Sequence, residues 1–241
     1  MAEETVPIKP AATVMLLRDG SGGLEVFMLR RTTAAVFASG MYVFPGGKVD
    51  AADGDGDEAF VAAAIRECFE EAGVLLAVDD DDLPVADGHP ALAARDDVYA
   101  GRISIHELCS LHGLRPTVER LPWVSHWITP KGEAQRRFDT RFFVAVGPPG
   151  QTSYHDDNET VASMWVRPGD ALARGRAGEL MLMPPTVANL EFLLRHDTAA
   201  AALQHAATLP PPPCILPKAR IVDGRFVGVV MPGEPGYDEL D

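Results

Sequence analysis

Arg66, Glu67, Glu70 and Glu71 fall within one short stretch, Ala64-Ile65-Arg66-Glu67-Cys68-Phe69-Glu70-Glu71-Ala72-Gly73-Val74, whose charges sit badly in an ordinary helix. Residues three and four apart on a helix are neighbours, so Glu67, Glu70 and Glu71 crowd one face. Like-charge pairs at that spacing destabilise the helix. The cluster also lies near the helix C-terminus, where the macrodipole disfavours negative charge. Gly73 suits the left-handed residue that ends such a helix. A hard divalent cation bound by oxygen ligands would relieve these conflicts together. Such a cation can neutralise charge on a substrate and lower the pKa of a bound water, which is hydrolytic chemistry.

The elements that must position these acids follow from pattern and punctuation. A helix is predicted from about Asp57, a good N-cap, with Glu58 in its first turn, to about Ala72. Val61, Ile65, Cys68, Phe69 and Ala72 form its apolar arc, expected to lie opposite the three glutamates. Residues 12–17 and 24–29 read as strands joined by a glycine-rich turn. Residues 41–44 form a short apolar run stopped by Pro45-Gly46-Gly47. Further strands are expected over 123–128, 141–146 and 160–166, and helices over 185–196 and 198–206. Residues 87–120 read as a helical insertion, a lid or a dimer surface. The four prolines from Pro210 to Pro213 read as a stiff connector. A hairpin follows, with strands over 219–222 and 226–230 and its turn at Asp223-Gly224. The expectation is an α/β fold in an α/β/α sandwich. Residues 1–10 would be a loose tail and 11–241 a single domain, with 207–241 as a C-terminal helical and hairpin extension.

Composition narrows the partners. The 241 residues are 46% hydrophobic, an ordinary globular value. The formal net charge is −14, from 21 basic and 35 acidic residues, which speaks against a nucleic-acid groove or an anionic membrane surface. The acidic runs at Asp53 to Glu58, Asp79 to Asp82 and Asp156 to Glu159 carry much of that charge, and the middle one reads as solvated loop. Cys68, Cys109 and Cys214 are widely spaced and form no paired motif, so neither a disulfide framework nor a zinc site is expected. No secretory signal or membrane span is apparent, and a cytoplasmic location is expected.

Gly47, Glu58, Arg66, Glu67, Glu70, Glu71, Gly73 and Val74 together resemble the box of the nudix hydrolases: a Gly, a Glu, then R-E-x-x-E-E-x-G and an aliphatic residue. More residues separate Gly47 from Glu58 than in the usual box. The extra Ala51-Ala52-Asp53-Gly54-Asp55 region is expected to bulge from the loop and leave the helix intact. Phe44-Pro45-Gly46-Gly47, the run Arg137-Phe138-Asp139-Thr140-Arg141-Phe142-Phe143, Pro184-Pro185 and Ile215-Leu216-Pro217 resemble the branch that contains the mammalian peroxisomal coenzyme A diphosphatase.

The resemblance implies a nudix-type α/β/α sandwich with a mixed sheet. It also implies metal-dependent hydrolysis of a nucleoside diphosphate linked to another moiety, coenzyme A or acyl-coenzyme A first. ADP-ribose, NADH and dinucleoside polyphosphates are the alternatives, as is a non-catalytic nucleotide-sensing domain. Mg²⁺ is the expected cofactor, with Mn²⁺ substituting, and the partner is a small molecule; the oligomeric state is left open, with a homodimer among the alternatives. By similarity, Glu70 and Glu71 are metal ligands, and Glu67 is either a ligand or the base that activates water. Arg66 would hold Glu67 by a salt bridge. Gly46 would offer its carbonyl to the metal, and Gly46 and Gly47 would let phosphate approach the backbone. Glu58 reads as a supporting residue at the helix start. Glu159 is the candidate for a further carboxylate from a distant loop, with Asp157 behind it.

Among the basic residues Arg30, Arg31, Arg136 and Arg137, ordinary ion pairing is expected of each, with Arg31 the best placed to reach a phosphate. His106, His112, His126 and His155 lack zinc spacing and read as structural or exposed. Trp123, Trp127 and Trp165 read as core residues rather than stacking platforms.

Overall fold

The computed structural model of the chain describes residues 6–33, 38–132, 136–156, 159–223 and 225–240. Asp157, Gly224 and residues 1–5 of the expected tail lie outside the described residues. The strands and helices in chain order are β1 (Ile8–Gly20), β2 (Gly23–Arg31), β3 (Tyr42–Val43), β4 (Gly46–Lys48) and α1 (Gly56–Ala72). Then come β5 (Ala77–Val78), α2 (Arg95–Tyr99), α3 (Ile105–Leu111), β6 (Arg115–Pro116), β7 (Trp123–Ile128), β8 (Arg137–Val146) and β9 (Thr160–Val166). The C-terminal part holds α4 (Pro168–Arg176), α5 (Pro184–Leu193), α6 (Ala199–Thr208), β10 (Cys214–Ile215), β11 (Lys218–Val222) and β12 (Arg225–Val230).

The main sheet is mixed. β1 runs parallel to β8 on one edge and antiparallel to β2 on the other. Alternation assigns each strand residue to a face. Val14 and Leu16 of β1, Phe27 and Leu29 of β2, and Phe143 and Ala145 of β8 point into the cluster packed against α1. Met15 and Leu17, Val26 and Met28, and Phe142 and Val144 point into a second cluster covered by α4, α5 and α6. Helices therefore cover both faces, the expected α/β/α sandwich with a mixed sheet.

The sheet forks at its centre. β1 and β2 pair only from Leu17↔Val26 to Gly20↔Gly23. Beyond that, β2 pairs with β3 through Leu29↔Val43 and Arg30↔Tyr42, while β1 pairs with β4 through Ala11↔Lys48, Ala12↔Gly47 and Thr13↔Gly46. The segment from Tyr42 to Lys48 is thus a wedge between two diverging strands, and the hydrogen bond from Val14 N to Pro45 O (2.9 Å) pins its middle. The apolar run before Pro45 contains β3. That Gly46 and Gly47 continue as a strand was not expected.

Four other differences have physical reasons. Residues 8–10 are not tail: Ile8, Lys9 and Pro10 pair with Arg137, Phe138 and Asp139. Helix α1 begins at Gly56 with Asp55 as its N-cap, two residues before the expected Asp57, which instead pairs with Arg141 (2.7 Å). Helix α4 was unforeseen, because Gly169 and Gly175 obscure its periodicity. The insertion is helical as expected, but it is no lid: Ala91, Val98, Ile105 and Leu108 pack into the α1-side core.

Candidate active site

Helix α1 carries the acids, and its surroundings set their chemistry. Gly73 ends it in the left-handed conformation (φ 71°) and donates its N–H to Phe69 O at 3.0 Å. The expected apolar arc is buried at Ile65, Cys68, Phe69 and Ala72. The glutamates do not face open solvent opposite it. Glu70 and Glu71 are only 9% and 4% exposed, and Arg66 is 8% exposed. The wedge closes over this face: a Cβ on Gly47 would lie 2.3 Å from Glu67 Oε1, so the carboxylate packs directly on glycine backbone.

Arg66 divides the acids into two sets. Its Nε and Nη2 donate to Asp53 Oδ1 and Oδ2, both at 2.9 Å, and Nη2 also donates to Lys48 O at 2.7 Å. Nη1 donates to Glu67 Oε1 (2.9 Å) and to Glu70 Oε2 (3.1 Å). Burial works against the Arg66 charge, but the bond to Asp53 and the fields of Glu67, Asp53 and Glu70 hold its pKa above the ordinary value. The salt bridge expected between Arg66 and Glu67 is present; the larger share of the guanidinium belongs to Asp53. The extra residues before the helix do not merely bulge: Ala51–Asp53 forms one 3₁₀ turn that aims Asp53 inward. Asp53 is therefore the site residue that sequence reasoning missed. Its signal was an acid in an enlarged loop before an Arg-Glu pair. Glu58, for which a supporting role was expected, lies exposed at the helix start.

Glu71 lies on the other side of this divide. It accepts the Gly46 N–H at 2.9 Å, so the N–H of Gly46 is turned to the acids. Arg31 Nη1 stands 3.9 Å from Glu71 Oε1, and its Nη2 is 3.0 Å from Glu159 Oε2. Arg31 Nε is buried without a hydrogen-bond partner among the described residues. Glu159 is half exposed at the rim. Asp156 fixes its loop by accepting the N–H groups of Glu159 (3.0 Å) and Thr160 (2.9 Å), and the Glu159 carbonyl accepts Thr32 N–H at 3.0 Å.

The electrostatics mark Glu67 and Glu71. Burial pushes the Glu67 carboxyl up to about 7, against the pull of Arg66, with Glu70 and Glu159 adding repulsion. Burial raises Glu71 well above the carboxylate range. Glu67 reinforces this, and the Gly46 N–H and Arg31 offset only part of it. Glu70 is raised too, by burial, with Arg66 opposing. Two buried acids one helical turn apart hold too little counter-charge between them. Among the described residues, no three His, Cys, Asp or Glu side chains are gathered as a ready metal site. The donor chemistry nonetheless suits a hard cation: the acids are oxygen donors, under-compensated, and beside a glycine backbone that a side chain would block.

The site opens through the fork into a cleft of about 280 Å³. Arg31, Gly46, Gly47, Glu67 and Glu159 border one end. The other end lies on the face of the sheet opposite α1, between Trp127, Phe138 and Phe142 on one side and Met183, Pro185 and Pro217 on the other. Arg136 borders the cleft, whereas Arg137 is buried and donates its Nε to Thr129 O at 2.9 Å. Trp123 and Trp165 are only partly buried, under Arg141 and Arg18, while Trp127 is buried on the cleft wall. His126 is structural, 2.5 Å from Asp139 Oδ1.

Known proteins agree with this architecture. A solved nudix hydrolase from Alicyclobacillus acidocaldarius superposes with a TM-score of 0.71 at 28% identity, over 86% of this chain and 99% of that one. The acyl-coenzyme A diphosphatase NUDT19 of Gallus gallus is 28% identical over 222 residues, 67% of this chain and 58% of the relative. A putative nudix hydrolase 7 of Caenorhabditis elegans is 30% identical over 173 residues, 70% of this chain and 55% of the relative. The chain thus spans little more than half the length of these curated relatives. The family described as the NUDT19 Nudix domain matches residues 55–193, more than half of the chain. With the fork, the acid-bearing helix and this match in agreement, the chain belongs to the Nudix hydrolases, in the NUDT19 Nudix domain family.

Proposed function

We propose that this protein hydrolyses the diphosphate bond of a nucleoside diphosphate linked to another moiety, with coenzyme A or acyl-coenzyme A as substrate and Mg²⁺ as cofactor. Mn²⁺ substitutes for it. The observation that carries this reading is the buried pair Glu67 and Glu71 beside Gly46 and Gly47 at the end of a cleft. The name of the Gallus gallus relative supports the substrate class.

Glu71 would hold the cation, with Glu159 joining from the rim, Gly46 lending its backbone, and Glu67 serving either as a ligand or as the base. When bound, the cation neutralises diphosphate oxygens and lowers the pKa of a water. The remaining work falls to the chain. As the base, Glu67, whose carboxylate packs on Gly47 and is held by Arg66, would accept a proton from the attacking water. Arg66 is a positioning residue, because one guanidinium nitrogen is shared between Glu67 and Glu70. Glu70 acts through that shared contact as well as being a further candidate ligand. Arg31, already between two acids, would turn to a substrate phosphate as the cation takes over those acids.

The test is turnover by the purified chain with Mg²⁺ or Mn²⁺ on coenzyme A, acyl-coenzyme A, ADP-ribose, NADH and dinucleoside polyphosphates, with products separated by chromatography. Cleavage of the coenzyme A species to an adenosine diphosphate product and a phosphopantetheine is expected. Turnover of another substrate alone would remove the coenzyme A reading, and no turnover of any would remove the hydrolase reading.

A further inference from the structure

Arg95 opens α2 and is buried, 8% exposed. Both of its hydrogen bonds among the described residues go to main-chain carbonyls. Nε donates to Glu70 O at 2.9 Å, and Nη2 donates to Tyr154 O at 3.2 Å. Taking a charge out of water is costly, and a buried arginine ordinarily offsets that cost on an acid. Here the end of a helix supplies the counter-charge: Glu70 O belongs to the last turn of α1, where carbonyls lack partners within the helix and carry partial negative charge. Its neighbours in that turn are met as well. Phe69 O accepts the Gly73 N–H and Ala72 O accepts the Tyr154 N–H, both at 3.0 Å. Gly73 leaves room for this, since a Cβ there would lie 3.3 Å from both Arg95 Nη1 and Tyr154 Cε1. The guanidinium lies over the Tyr154 ring, 4.5 Å from its centroid.

The two segments that Arg95 joins are the two that carry the candidate cation ligands. One is α1, with Glu67, Glu70 and Glu71. The other runs from Tyr154 to Asp156, whose carboxylate accepts the N–H groups of Glu159 and Thr160, and so to Glu159. Tyr99, one turn beyond Arg95 on α2, lies beside this meeting of acids: burial first, then the fields of Glu159, Asp156, Glu70 and Glu71, raise the pKa of its phenol. Glu159 and the buried helix acids repel one another with no cation between them. Arg31 bridges Glu71 and Glu159 on the cleft side, but that bridge is lost when Arg31 turns to a phosphate. The Arg95 contacts are to backbone and stay.

We propose that Arg95 is a positioning residue that ties the Glu159 loop to the acid-bearing helix and thereby sets the affinity of the cation site. The inference rests on the reading of Glu159 and the helix acids as cation ligands, and it gives the helical insertion a part in that site.

Calorimetric titration of the full chain with Mn²⁺, without substrate, reads the site directly. The parent, Arg95→Gln, Glu159→Gln and the double variant form a cycle. Arg95→Gln is expected to weaken Mn²⁺ binding about 10- to 100-fold, the range for losing a group that orients a metal ligand. In the Glu159→Gln background the same substitution should cost much less, because the tether then holds no ligand. Arg95→Lys keeps the charge without the planar guanidinium that spans two carbonyls, and it runs the same cycle, with a smaller loss expected, if Arg95→Gln fails to fold. Unchanged Mn²⁺ affinity in the variant used would overturn the inference. Equal losses in both backgrounds would do so too, as the mark of a general loosening of α1. So would parent-like binding by Glu159→Gln, or no Mn²⁺ binding by the parent. The diphosphatase reading is judged separately by turnover: cleavage by a parent whose cycle is additive removes the tether and leaves that reading standing.

Discussion

Arg66 and Asp53 meet through two parallel hydrogen bonds, Nε to Oδ1 and Nη2 to Oδ2, each 2.9 Å long. The pair joins the turn before α1 to the middle of the helix, and both side chains are nearly buried. Removing Asp53 strands a guanidinium that three other acceptors only partly satisfy. Asp53→Ala is therefore expected to lower stability by about 3–5 kcal/mol, the range for breaking one side of a buried ion pair. It should also reduce turnover about 10- to 100-fold, because Glu67 and Glu70 lose a fixed Arg66. Urea denaturation and steady-state kinetics check the two effects. Unchanged stability would show that the pair contributes nothing to the loop.

Glu67→Gln and Glu71→Gln should separate stability from activity in the opposite sense. Each removes a charge from an under-compensated pair, so each variant should melt higher than the parent without metal. Each should also lose about 10²- to 10⁴-fold in turnover, the scale of a lost acid-base group or its supporting ligand. Thermal unfolding in a chelator, beside turnover in Mg²⁺, would reveal both. A variant that melts lower and retains its activity would contradict the assignment.

The raised Glu67 pKa has a defined pH signature. The folded state binds this proton more tightly than the unfolded chain does. Stability from this group is therefore fully present below the ordinary value of 4.5 and is lost as pH rises toward about 7. In a chelator, unfolding free energy should decline over that window, and Glu67→Gln should flatten the decline. Saturating Mg²⁺ should restore stability at the upper end, because it binds the folded state. Denaturation series at several pH values, with and without Mg²⁺, measure this directly. A rise in chelator across the same window would refute the stated sign.

Gly46 and Gly47 should respond differently to alanine. A Cβ at Gly46 meets the Ala12 carbonyl at 2.5 Å, which is backbone within the sheet and cannot yield cheaply. Gly46→Ala is expected to destabilise by about 1–3 kcal/mol, as overpacking does. At Gly47 the clash is with the Glu67 carboxylate, the end of a flexible side chain. Gly47→Ala should leave stability closer to that of the parent and reduce turnover more than about tenfold by displacing Glu67. Calorimetric melting and kinetics on the two variants distinguish these outcomes.

Much of the scaffold was legible because periodicity reports burial. The strands at 123–128 and 160–166 match the structure, as β7 and β9, because their apolar and aromatic residues run together. Helix α1 was legible to its C-terminal glycine. What escaped notice depended on contacts distant in sequence. Gly46 and Gly47 have no side chains to alternate, so the wedge that forks the sheet left no periodic trace. Asp53 read as one acid in an acidic run, and only the 3₁₀ turn aims it at Arg66. The glutamates were expected on an open face. Their burial comes from packing of the wedge and the insertion onto α1, with Arg95 of the insertion donating its Nε to Glu70 O at 2.9 Å. Trp127 was correctly expected to be buried, but its unanswered N–H could not be read from a strand pattern.

The parting of β1 from β2 lets a single opening pass through the sheet instead of lying on top of it. Acids rooted in one hydrophobic cluster and a greasy chamber rooted in the other thus share a molecule-sized passage without sharing their packing. Amino-acid changes that resize the chamber can accumulate on one side of the plane while the charged helix on the other keeps its geometry. Substitutions at Met183, Pro217 or Val229 would therefore reshape the cleft without touching the packing that holds Glu67 and Glu71.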